Sequence, residues 1–158
     1  MLKRQGRTRS GNRLPSLAAL ITAAAIAISG CQSGPSNIAS TVDTALHDSS
    51  SAIATAQLAL ELEQAGKLTS AATSTALDDA LEELETSRKK VFQLAPETEE
   101  TRTQVQEAID ALDQSATSLT TARHAMSSTD QDPAKQQAQT QLDQAAATLK
   151  ALTREAQQ

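Results

Sequence analysis

Apolar or small residues recur along most of this chain in steps of three and four. From Ile38 the series Val42, Ala45, Ser49, Ile53, Ala56 and Leu60 advances by 4, 3, 4, 4, 3 and 4, which keeps one face of a helix on one side. A second series runs Leu77, Leu81, Leu84, Val91 and Leu94. A third runs Val105, Ile109, Leu112, Ala116, Leu119 and Met126, and a fourth Ala138, Leu142, Ala145, Leu149, Leu152 and Ala156. No stretch alternates with period two and the β-branched residues are scattered, so no strand is predicted.

The breaks between the series carry the residues that end and start helices. After Pro35 the chain has one glycine, Gly66, and two prolines, Pro96 and Pro133. Glycine just past a helix end and proline at a first helical position are the expected punctuation. The first helix is therefore read from after Pro35-Ser36 to Gly66. The second starts at Thr69 or Ser70, whose hydroxyl can cap free amides. Pro96 closes the second and opens the third, with Glu97, Glu99 and Glu100 at the positive end of its dipole. The third fades at Ser127, and the fourth takes Asp132 as N-cap and Pro133 as its first residue.

Four helices of about 24 to 30 residues joined by short links predict an all-α, antiparallel, up-down-up-down four-helix bundle. A long helical hairpin or coiled coil is the alternative. Much of the predicted core is alanine, which lets helices approach closely but buries little area, so stability is modest and a partner could complete the core.

The first 31 residues follow another pattern. Residues 1–13 carry Lys3, Arg4, Arg7, Arg9 and Arg13 and no acid, residues 14–28 are mainly apolar, and Ile28-Ser29-Gly30-Cys31 follows. A basic segment, an apolar run and small residues are the three parts of an export signal. This mainly apolar run of 15 residues, interrupted by Ser16 and Thr22, falls short of the roughly 20 that span a bilayer, which makes a retained transmembrane helix the weaker reading. The tetrapeptide resembles the lipobox of bacterial lipoproteins. That resemblance implies cleavage after Gly30, an S-diacylglycerol on Cys31 with an N-acyl chain possible beside it, and a mature protein on the extracytoplasmic face of the cell membrane. In a host with two membranes it implies the outer membrane, because Gln32 is not the aspartate that resembles a retention signal. Cys31 is the sole cysteine, so no internal disulfide competes for it.

This divides the chain into a signal peptide (1–30), a short tether (31–36) and a helical domain (37–158). Five of the 14 basic residues lie in the first 13, which leaves 9 against 19 acidic residues in the remaining 128, a net charge of −10. Such a body is repelled by nucleic acid and by anionic lipid, so attachment falls to the lipid anchor. Residues 32–36 span at most about 18 Å extended, which holds the bundle close to the bilayer. In an up-down order the link around Pro96 and the C-terminus share the membrane-facing end, with Arg88, Lys89, Lys90 and Phe92 near it. Those cations and that aromatic could meet headgroups; the plainer reading is that the cations complement a helix C-terminus and Phe92 packs into the bundle.

Candidate chemistry is sparse. His47 and His124 lie in no Glu-x-x-His or His-x-x-x-His spacing, and the acidic runs at Asp78-Asp79, Glu82-Glu83-Glu85 and Glu97, Glu99, Glu100 lack a calcium-loop pattern. There is no nucleophile elbow and no phosphate loop. No catalytic, metal or cofactor residue is assigned, and the expectation is a non-catalytic envelope lipoprotein with a structural or protein-interaction role. Its partners would be the membrane, through the lipid, and an envelope protein. A small-ligand or cation binder is the alternative, resting on Ser49, Ser87 and Arg123 at or beside core positions, with Ala122 competing for the inward place of Arg123.

Overall fold

A computed structural model describes residues 35–127 and 131–156. The chain divides into two units, Met1–Gly30 and Cys31–Gln158, and all described residues belong to the second. They form four helices: α1 (Pro35–Gln64), α2 (Ser70–Phe92), α3 (Glu99–Ser127) and α4 (Gln131–Ala156), with no strand among them.

Local chemistry fixes the link between α1 and α2. Gly66 has φ +69°, the left-handed conformation that ends a helix, while Gly66 N donates to Glu63 O at 2.9 Å and Lys67 N to Leu62 O at 2.8 Å. These two bonds are the Schellman pair that satisfies the last carbonyls of a helix. Thr69 then caps α2, its Oγ1 accepting from Ala72 N at 3.2 Å. Both assignments made from sequence hold here.

Three other boundaries move. Pro96 does not open α3: it lies in the link, and the helix starts three residues later with a hydroxyl version of the capping box. Thr98 N donates to Thr101 Oγ1 at 3.3 Å and Thr101 N to Thr98 Oγ1 at 3.2 Å, so each threonine satisfies the other's free amide. Helix α4 begins at Gln131, which places Asp132 and Pro133 inside its first turn, where a missing amide hydrogen is tolerated. Pro35 and Ser36 likewise belong to α1 rather than to a preceding tether.

Packing yields a four-helix bundle. Helix α1 packs on α2 and α4, α3 packs on the same two, and α1 and α3 also touch across the diagonal, whereas α2 and α4 do not meet. The short diagonal follows from the side chains on α1 and α3: Ala45, Ala56, Ala108, Ala111 and Ala122 are all buried, and residues of that size let two axes approach. Leu46, Ile53, Leu60, Leu77, Leu84, Leu112, Leu119, Leu142 and Leu149 fill the rest of one continuous core.

Cross-helix pairs set the direction and level of each neighbour. Arg88 pairs with Asp113, and Arg123 with Asp78 at 2.9 Å, which requires α2 and α3 to be antiparallel. Gln57 Nε2 donates to Asp143 Oδ1 at 2.6 Å and Lys135 Nζ to Glu63 Oε2 at 2.8 Å, which requires the same of α1 and α4. The first of these puts Ala156, thirteen residues past Asp143, about level with Thr44, thirteen before Gln57. Lys90 opposite Asp48 (3.9 Å) puts the end of α2 about level with Leu46. Lys90 opposite Asp48 and Arg88 opposite Asp113 put the start of α3 about level with that of α1, so at this end the pair projects about 14 Å beyond the described ends of its neighbours at 1.5 Å per residue.

Candidate functional site

Cys31, the assigned lipid-attachment residue, and the whole segment Met1–Gly30 lie outside the described residues. What the described bundle contributes is the surface around the start of α1, four residues further along the chain, and the distribution of charge over the body.

The projecting end has two sides. On one, the link 93–98 runs against the α1–α3 pair, with Leu94 packed on the core. On the other, α4 has stopped and nothing described replaces it. A notch of about 710 Å³ remains between the starts of α1 and α3, roofed by the last turn of α4. A second, shallower depression of about 530 Å³ lies between α1 and α2, over Ala52, Ala76 and Ala80 with Asp48, Asp79 and Glu83 at its edge.

Lys89 and Lys90 stand in the last turn of α2, where they complement the helix C-terminus as expected, but the aromatic beside them does not pack as expected. Phe92 is 68% exposed and does not pack into the bundle. The reason is register: Thr73, Leu77, Ala80, Leu84, Ser87 and Val91 form the buried stripe of α2, so the inward place in the last turn belongs to Val91. Phe92 stands one residue off that stripe, with the Arg88 guanidinium carbon 5.9 Å from its ring centroid, close enough for cation–π attraction. Arg88 also pairs with Asp113, whose carboxylate raises the guanidinium pKa above its ordinary value. Lys89 pairs with Glu85 and Lys90 with Asp48, at 3.8 and 3.9 Å. The three cations are balanced by neighbours and lie well up the side of the bundle, level with residues 46–50 of α1.

Arg123 is exposed and bound to Asp78, while Ala122 takes the inward position at 0% exposure. The interior-pocket reading thus loses its charged member. Ser49 and Ser87 are in the core, both fully buried, and neither hydroxyl finds a partner in the protein. His47 and His124 are exposed. Among the described residues no group of three or more His, Cys, Asp or Glu side chains is arranged to hold a metal ion.

Sequence reasoning missed the pair at the opposite end of the bundle. Glu63 and Lys135 are only 11% and 10% exposed, and Lys135 Nζ donates to both carboxylate oxygens, at 2.9 and 2.8 Å. Ser70 Oγ adds a third bond to Glu63 at 3.2 Å. The bonded ammonium holds the Glu63 carboxyl below the usual glutamate range, against a smaller opposing effect of burial. These two residues are 72 positions apart, and only the α1–α4 register brings them together.

Comparison of the chain with protein-family models, with curated proteins and with solved structures gives no match. Among the described residues no helix is long and apolar enough to cross a membrane.

Proposed function

We propose that this protein is a lipid-anchored, non-catalytic lipoprotein of the cell envelope that acts by contact with another envelope protein. The observation that carries the reading is the segment ending Ile28-Ser29-Gly30-Cys31, behind a basic stretch and a short apolar run. Helix α1 starts at Pro35, four residues after the acylated cysteine, which leaves room for at most about 14 Å of extended chain between lipid and bundle. The bundle would therefore stand with the projecting α1–α3 end toward the bilayer. Two or three acyl chains on Cys31, each buried methylene contributing about 0.8 kcal/mol, would hold a body whose net charge of −10 is repelled by anionic headgroups.

The description as a contact protein draws on the same surfaces. The described body is a continuous helical core, several of its surface charges are paired, and the depressions on its described surface are open. Intact-mass and peptide mass spectrometry of the membrane fraction tests the anchor. The expected product begins at Cys31 with diacylglycerol attached, and Cys31→Ser should leave the membrane fraction or remain unprocessed. A wild-type protein recovered with an unmodified Met1 N-terminus would overturn the proposal.

A further inference from the structure

Beside the end of α4, the cross-section formed by the described residues has three elements instead of four. Along most of its length the core is closed by four helices. Over the last 14 Å toward the start of α1 it is closed by α1, α3 and the link before α3, because α4 ends at Ala156, about level with Thr44. The notch lies along the continuation of the described part of α4. Half-buried Ala39, Leu152 and Ala156 present apolar surface into it, over the packed side chains of Val42 and Leu46.

Its rim is charged, and of one sign. Glu100 and Glu107 on α3 and Glu155 on α4 border the notch. None of the three has an ion-pair partner among the described residues; Asp79 and Glu83 at the second depression have none either, but there Asp48 is paired with Lys90. An apolar floor inside a ring of unpaired carboxylates disfavours fatty acids and anionic lipids. It suits an amphipathic helix whose apolar side chains enter the notch while flanking lysines or arginines meet the rim.

We propose that the notch receives a short basic amphipathic helix of a partner protein, which takes up the place that α4 vacates. The inference rests on the reading of this chain as one that works through contact with another protein. Because the notch lies at the end where α1 starts, four residues after Cys31 in the chain, a protein anchored through that residue would present it close to the membrane surface.

The test uses the full expressed protein in phosphatidylcholine vesicles and a synthetic 12-residue Leu/Ala/Lys helix, with a Leu/Ala/Glu helix as control. The lysine peptide should bind and should protect notch-lining amides such as those of Gln104 and Leu152 from exchange; the glutamate peptide should not. Glu100→Lys with Glu107→Lys should weaken binding by at least about tenfold, while Asp79→Lys with Glu83→Lys, at the other depression, should change it less than about twofold. Equal loss from both double variants, meaning attraction to the acidic body at large, would overturn the proposal. So would no binding, or a photo-crosslink from residue 104 to the acyl chains on Cys31 instead of the peptide. Intact mass reports the lipid on the same sample, so loss of the anchor reading is seen separately from loss of the notch.

Discussion

At the end where α1 passes to α2 and α3 gives way to α4, the described chain closes on itself: Gly66 turns the backbone, Thr69 caps the next helix, and the buried Glu63–Lys135 pair joins α1 to α4. At the opposite end Thr98 and Thr101 cap α3, but α2 and α4 stop early and three carboxylates beside the notch have no described partner. The first end is fastened by groups of the same chain. The second leaves apolar surface and charge without a described partner, at the end where α1 starts. Fastening within the chain is thus concentrated at one end of the bundle axis and the proposed contact surface lies at the other, and each of the following substitutions probes one side of that division.

The largest expected difference is in core truncation. Leu60 near the fastened end is 1% exposed and fully packed, so Leu60→Ala should lower unfolding free energy by about 2–5 kcal/mol. Leu152 borders the notch and is half-buried, so Leu152→Ala should lower it by less than about 1.5 kcal/mol, since part of its area is in water already. Urea unfolding followed by circular dichroism measures both. Equal losses would mean that the notch end is packed as firmly as the other and that the contrast is false.

The ion pair comes next. Lys135→Ala leaves a largely buried carboxylate without its main partner and should destabilise by about 1.5–3 kcal/mol at neutral pH. Glu63 has a folded-state pKa below its unfolded value, so its stabilisation is present in full above the unfolded pKa near 4.5 and is lost as pH falls through the lowered folded value. Wild type should therefore lose stability on acidification below about pH 4.5 more steeply than Glu63→Gln. Parallel pH profiles for the two would remove the pair from the fastening.

Gly66→Ala tests the turn itself. A Cβ there meets no atom within 4 Å, so the penalty comes only from φ +69°, about 1 kcal/mol. A thermal melt resolves that on a chain of this size. No loss would show that the link tolerates another backbone conformation.

These elements were not equally legible in the sequence. The helices and most of the core could be read because spacings of three and four mark an inward stripe regardless of what it packs against: Ile38 through Leu60 on α1 is buried at every position named. Leu81, Ile109 and Ala116 are only half-buried because they flank the stripes rather than lie on them. Phe92 was misread by residue type, where the stripe ending at Val91 would have placed it outside. Pro96 was misread because threonine hydroxyls two and five residues later supply the cap. The Glu63–Lys135 pair and the notch depend on how far one helix slides along another, which no local pattern encodes.

The smallest effect, of opposite sign, lies midway between the two ends. Ser49 and Ser87 occupy inward positions on the adjacent helices α1 and α2, at 0% exposure and without a protein hydrogen-bond partner. A hydroxyl taken from water and left unpaired opposes folding, and alanine keeps nearly the same volume without that burden. Ser49→Ala and Ser87→Ala should each raise unfolding free energy by up to about 1 kcal/mol. Destabilisation would mean that the hydroxyls share a buried water, which bridges α1 to α2 and makes the mid-core a third fastening point. The double variant separates the cases. Independent dry hydroxyls give additive gains, whereas a shared water is lost with the first substitution and leaves the second nearly neutral.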